Sequence, residues 1–284
     1  MASAPLDILP ISGAMGAEIH GTDLSGPLDD SCVQRIRSAL LEHGAVFFRD
    51  QKLTPDSQLA FASRFGEPEI HPIVDGTAER PEVIRVLKPA GESASFGVGW
   101  HTDNSFLEKP SLATLLYGET IPPYGGDTLY ASVQKAYDAL SETMKAMLDG
   151  LRAVHSASRA YDPGVTGDAK YRGEGPLRYR YSDVINREVE HPVIRTHPET
   201  GRRGIYVNPM FTQRIVGMTD VESQATLAFL YEHCARPDFT CRFRWTPGAV
   251  AMWDNRSVWH YAMDDYQPFE RVMYRVTLAG DRPA

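Results

Sequence analysis

Two distant stretches of this 284-residue chain carry side chains of the types that hold a metal and an anion together. The first is Gly99-Trp100-His101-Thr102-Asp103, which contains His-x-Asp. In an extended segment, residues two apart point to the same side, so His101 and Asp103 can converge on one point. The second lies far downstream, with His260 followed by Arg271 and Arg275. Two imidazoles and one carboxylate leave about half of an octahedral shell open, which suits Fe(II) and accommodates a bidentate 2-oxo acid and O2. On a strand, residues 271, 273 and 275 share a face. Two guanidinium groups turned inward would need anions to meet them. Zinc could bind the same trio, but a zinc hydrolase gives the arginines no role. A halogenating site would need a small residue in place of Asp103, so the carboxylate predicts oxygenation.

These groups need elements to carry them. Extended segments are expected at Asp7–Ile11 and Ala17–His20, then a helix over Ser31–His43 capped by Asp30 and ended by Gly44. Ala45–Phe48 reads as a short strand, and Thr54-Pro55 opens a helix running to Phe65. From Val83 onward short strands dominate: Val83–Leu87, Leu112–Tyr117, Val193–Thr196, Ile205–Val207, Arg242–Trp245, Ala249–Trp253 and Val272–Leu278. Helices are expected over Val133–Leu151 and after the capping box Thr219-x-x-Glu222. The pattern is mainly β with flanking helices (α+β), a sandwich or jelly-roll core. Irregular alternation and the lack of a Gly-rich phosphate loop argue against a doubly wound sheet. Residues 160–189, dense in Gly, Arg, Tyr and Asp, read as a long lid or insert loop.

Composition narrows the class. A net charge of −8 argues against a nucleic-acid binder. No apolar run is long enough to span a bilayer, and the N-terminus lacks a secretory pattern, so no membrane partner and a cytoplasmic location are expected. Cys32, Cys234 and Cys241 form no CxxC pair and are expected to be buried reduced thiols.

His101-x-Asp103, Gly125-Gly126-Asp127-Thr128, Trp253-Asp254-Asn255-Arg256, His260 and the Arg271/Arg275 pair together resemble the taurine dioxygenase/TfdA family of Fe(II)/2-oxoglutarate-dependent dioxygenases. The likeness runs from Gly16-Ala17-Glu18-Ile19 through Arg64-Phe65-Gly66 to Gly280-Asp281. It implies one double-stranded β-helix (jelly-roll) domain over residues 1–284. It implies an iron site of His101, Asp103 and His260, with 2-oxoglutarate and O2 as co-substrates. Arg271, assisted by the Thr128 hydroxyl, would pair with the far carboxylate of 2-oxoglutarate, a task that suits a guanidinium fork. The family also suggests a homodimer or homotetramer.

Charge counting points to an anionic small-molecule substrate. Fe(II) with Asp103 leaves about one positive charge, the two arginines add two, and 2-oxoglutarate removes two. The remaining charge falls to Arg275, and His71 can add a donor, as the matching pair does for a sulfonate in the family. The chain departs from taurine dioxygenase at Val74, where the family enzyme has a tyrosine, and at Phe96-Gly97-Val98-Gly99, where it has a polar asparagine. Tyr161 and Phe211 supply aromatic walls. Val74 and Gly97 therefore predict a larger or more apolar acid than taurine: an alkylsulfonate, an aryloxy acid or a carboxylated terpenoid, oxidised by hydroxylation, desaturation or epoxidation. Taurine itself is the alternative substrate, and a non-catalytic jelly-roll binding protein the alternative of another class.

Overall fold

The structure is a computed structural model that describes residues 6–92, 97–166 and 177–284. Its centre is a pair of facing sheets. In the larger, Val250–Asp254 lies between Ala45–Phe48 and Ala113–Thr120, and the last strand, Arg271–Leu278, lies between Ala113–Thr120 and Val83–Lys88. Ala17–His20 extends it in parallel, Asp7–Pro10 closes that edge, and the two-residue strand Pro68–Glu69 pairs with the end of the last strand. In the facing sheet, Thr128–Ser132 lies between Thr240–Phe243 and Val258–Ala262. Arg152–His155, flanked by Thr212–Ile215 and Val189–Pro192, and the pair Ile194–Thr196 and Arg203–Ile205 form two smaller sheets. This is the mainly β, helix-flanked jelly-roll architecture expected from the sequence.

The period of two sorts side chains between layers. Val46, Phe48, Val250, Met252, Leu115 and Val276 face outward onto Ile36 and Leu40 of the helix Asp30–His43 and Phe61 of Pro55–Ala62. Their neighbours Ala45, Phe47, Ala251, Trp253 and Met273 face the second sheet, meeting Tyr130 and Phe243. Phe47 and Phe243 stack with centroids 4.2 Å apart. Ala131 and Trp259 turn away from that interior, toward Leu227 and Leu230 of the helix Asp220–Cys234. The inward alternation is what places Thr114, Thr128, His260, Arg271 and Arg275 between the sheets.

Several boundaries differ from expectation for local reasons. The first helix is capped by Asp29, not Asp30: the Asp29 carboxylate accepts from the Cys32 N–H at 2.8 Å. The helix after Thr54 stops at Ala62 rather than Phe65, and the Ser63 hydroxyl donates back to the Leu59 carbonyl. The single helix expected over Val133–Leu151 is two, Val133–Asp138 and Glu142–Leu148. Ser141 breaks it, because its side chain caps the second helix by accepting from the Met144 N–H. Within the expected excursion 160–189, the described residues form the turns of helix Ser158–Tyr161 and Pro163–Thr166, a bridge from Tyr179 to Val74, and the single turn Asp183–Ile185. Residues 167–176 of that segment lie outside the described residues. The three cysteines are free and buried. Among the described residues no helix is long and apolar enough to cross a membrane.

Candidate active site

His101 and His260 are joined by backbone: each N–H donates to the other's carbonyl, at 3.1 and 2.8 Å. This isolated bridge ties the segment after Gly99 to the strand Val258–Ala262. Asp103 is not on a strand; it opens a turn in which Asn104 has φ 54°. The side chains converge regardless. Nε2 of His101 and of His260 lie 3.7 and 3.6 Å from Asp103 Oδ1. Ligand atoms of all three lie within 4.8 Å of one another, close enough to share one metal ion.

The neighbours fix these groups in the states a metal needs. His101 Nδ1 lies 2.8 Å from the Gly99 carbonyl, so Nδ1 carries the proton and Nε2 the lone pair. Burial holds both imidazoles below their usual range, which keeps them neutral at pH 7. Burial acts to raise the Asp103 carboxyl, but Arg275, the two imidazoles and the Thr114 hydroxyl outweigh it and hold the group low. Thr114 donates to Asp103 Oδ2 at 2.6 Å and accepts from Asn255 Nδ2 at 3.0 Å. Asn255 Oδ1 accepts from the Asp103 N–H at 3.3 Å and from Trp253 Nε1 at 3.0 Å. The turn bearing Asn255 is itself anchored, since Asp254 binds Arg256 through two nitrogens and His197 at 3.0 Å.

Two cavities meet at this cluster. The smaller, about 50 Å3, lies between the sheets and is lined by His101, Asp103, His260, Thr128 and Arg271 among others. Arg271 is buried, and its Nη2 donates to the Gly126 carbonyl at 3.1 Å. Its Nε has no hydrogen-bond partner, and among the described residues no carboxylate lies at ion-pair distance. Burial lowers its pKa, as expected of a guanidinium without a matched anion. Gly126 must be glycine: φ is 67°, and a Cβ would meet Tyr266 at 3.1 Å and Arg271 Nε at 3.4 Å. The Thr128 hydroxyl, on the same cavity wall, accepts from Trp245 Nε1 at 3.0 Å. A buried guanidinium whose Nε lacks a partner, with a hydroxyl on the same wall of a cavity that also reaches the three-residue cluster, fits the far carboxylate of a 2-oxo diacid.

The larger cavity, about 470 Å3, is lined by His71, Gly97, Tyr161, Phe211 and Arg275, with Trp100, Asn104, Arg159, Tyr179 and Met210. His71 Nδ1 accepts the Ile73 and Val74 N–H groups at 3.1 and 3.0 Å, which leaves the proton on Nε2. Burial, followed by Arg275, pushes its pKa down to about 3, so it is a neutral donor. The Arg275 guanidinium lies 2.8 Å from Asp103 Oδ1. Val74, a sequence candidate for substrate contact, is not among the lining residues. It is buried against Ile84 and Leu177, because its bridge to Tyr179 turns it behind the wall. Phe96 lies outside the described residues.

Sequence reasoning missed Thr114, Asn255, Trp100, Asn104, Arg159, Tyr179 and Met210. For Thr114 a signal existed: as a lone hydroxyl alternating with apolar residues on a strand, it marks an inward polar position. The others belong to turns, loops, an isolated bridge and a four-residue helix, whose path no periodicity encodes.

The model of the taurine catabolism dioxygenase TauD/TfdA family matches residues 7–277, and the chain belongs to that family. It is a 2-oxoglutarate-dependent dioxygenase that works with Fe(II), 2-oxoglutarate and O2. It is 39% identical to the alpha-ketoglutarate-dependent sulfate ester dioxygenase of Pseudomonas putida, an alignment covering 100% of this chain and 94% of that protein. It is also 39% identical to the alkylsulfatase of Acinetobacter baylyi, over 97% of this chain and 86% of the relative. Among solved structures, a taurine dioxygenase from Burkholderia xenovorans superposes with a TM-score of 0.83 at 41% identity, covering 98% of this chain and 91% of that one.

Proposed function

We propose that this dioxygenase oxidises a C–H bond of a small organic anion, with His101, Asp103 and His260 holding Fe(II). Bound Fe(II) supplies the O2 chemistry that converts 2-oxoglutarate to succinate and CO2 while the substrate is oxidised. Arg271 and Thr128 hold the far carboxylate of 2-oxoglutarate. Arg275 and the His71 Nε2–H hold the anionic group of the substrate. Gly97 leaves the passage between the two cavities open, and Tyr161 and Phe211 shape the apolar wall. The residues described within 160–189 contribute Tyr161 and Tyr179 to that wall, and we read the segment as a cover built into a single domain. The observation that carries this reading is the meeting of two cavities at one three-residue cluster, with Arg271 lining the smaller and Arg275 lining both.

The substrate is an apolar acid larger than taurine, first of all an alkyl sulfate ester or alkylsulfonate. Two of the most similar relatives are named for sulfate esters and alkyl sulfates. The cavity walls of Trp100, Tyr161, Met210 and Phe211 suit an alkyl or aryl chain. None of these four carries a carboxylate to pair with the ammonium group of taurine, whose short chain would also leave much of that apolar surface uncovered, so taurine ranks below. Succinate release should be measured with Fe(II), 2-oxoglutarate and O2 against alkyl sulfates, alkylsulfonates, aryloxy acids and taurine, with the oxidised product identified. Stoichiometric product from alkyl sulfates or sulfonates supports the assignment. Turnover of taurine alone contradicts the size argument, and turnover of neutral compounds alone contradicts the anionic one.

A further inference from the structure

The larger cavity has a second cation on its solvent side. Arg159, on the short helix Ser158–Tyr161, is exposed and lines the same cavity as the buried Arg275 and His71. Its Nη1 donates to the Thr212 carbonyl at 3.2 Å, which steadies the head group. Among the described residues no carboxylate lies at ion-pair distance from it. Many other surface arginines are matched, for instance Arg152 with Glu190, Arg214 with Glu188 and Arg242 with Asp127. In a chain of net charge −8, an arginine facing a cavity without an acid beside it is a site for an outside anion.

Trp100, Tyr161, Met210 and Phe211 line the same cavity and give it apolar surface for a carbon chain. Among the described residues Asp103 is the one carboxylate lining the cavity, and Arg275 already faces it. We propose that Arg159 recognises a second anionic group, so that the preferred substrate is an apolar chain with an acidic group at each end. The inner group meets Arg275 and His71, the outer one meets Arg159, and the carbon presented to the three-residue cluster is set by anchoring at both ends. The inference rests on the reading of Arg275 as the inner anion site.

The test is calorimetric binding under anaerobic conditions to the Fe(II)- and 2-oxoglutarate-loaded enzyme. The probes are alkane-1-sulfonates and matching α,ω-disulfonates of increasing chain length. At the matching length the disulfonate should bind about fivefold more tightly than the monosulfonate, the upper range for an exposed charge pair. Added salt should erase the gain. Arg159→Gln should abolish the difference between the two ligands, and Arg159→Lys, which keeps the charge, should retain part of it. Monosulfonate binding with no disulfonate gain at any length overturns the role of Arg159 and leaves the inner site intact. Monosulfonate binding that is absent, or unaltered by Arg275→Ala, overturns the inner site and this inference with it.

Discussion

Replacing Arg271 with Met should separate co-substrate binding from folding. The guanidinium is buried, and its Nε is unsatisfied. A structural arginine would be missed on removal. One kept for a ligand should be dispensable to the fold, because a buried charge without a matched anion stabilises little. The unliganded variant should therefore be as stable as the wild type or slightly more so. Binding should suffer heavily, since removing one partner of a buried, hydrogen-bonded charge pair costs about 3–5 kcal/mol, or roughly a hundredfold to a few thousandfold in Kd for 2-oxoglutarate. Thermal unfolding of the Fe(II)-loaded protein under anaerobic conditions reads both quantities. At a hundred times its Kd, a ligand stabilises by about 2.7 kcal/mol. With an unfolding entropy of about 2.1 cal/mol/K per residue, that raises Tm of a chain this size by about 4–5 °C. The wild type should show this rise, and Arg271→Met at the same concentration should show less than about 1 °C. A variant that melts several degrees lower without ligand, or that keeps the full rise, would refute the reasoning.

Thr114→Val keeps the shape but leaves Asp103 Oδ2 and Asn255 Nδ2 without the hydroxyl between them. It should weaken Fe(II) binding about tenfold to a hundredfold in chelator competition and cost about 1–3 kcal/mol of stability in urea unfolding. His191 is buried with Nε2 2.9 Å from the Leu107 carbonyl, and burial pushes its pKa down to about 4. The unfolded chain holds a proton on this imidazole below about pH 6.5 that the folded chain lacks, so stability should fall as pH drops from about 6.5 to 4. In denaturant titrations across that window, His191→Gln should lessen the fall by up to about 3 kcal/mol; an unchanged slope contradicts the neutral buried state.

The sequence carried the site's ends better than its middle. Strand alternation alone put Arg271, Met273 and Arg275 on one face, and those residues do line the cavity between the sheets. The strand Thr128–Ser132 was not expected, although it holds the centre of the second sheet. Its sequence, Thr-Leu-Tyr-Ala-Ser, has inward positions of mixed polarity, because one of them faces the small cavity instead of packed core. Val258–Ala262 escaped for a similar reason, with His260 interrupting the apolar pattern at the functional position. Val74 was expected at the substrate because of its place after His71, but its bridge to Tyr179, a partner more than a hundred residues away, decides its direction. Arg159 and Asn104 have no pattern to announce them; a four-residue helix and a left-handed turn place them.

The account turns on three side chains acting as one ferrous site that 2-oxoglutarate completes. Anaerobic addition of Fe(II) and then 2-oxoglutarate, followed by visible absorption, addresses this directly. The wild type should develop a weak charge-transfer band that saturates at one Fe(II) per chain, and His101→Ala, Asp103→Ala and His260→Ala should each lose it while keeping the wild-type far-ultraviolet circular dichroism. A band that survives in a folded His260→Ala protein, or that never forms in the wild type, would contradict the site.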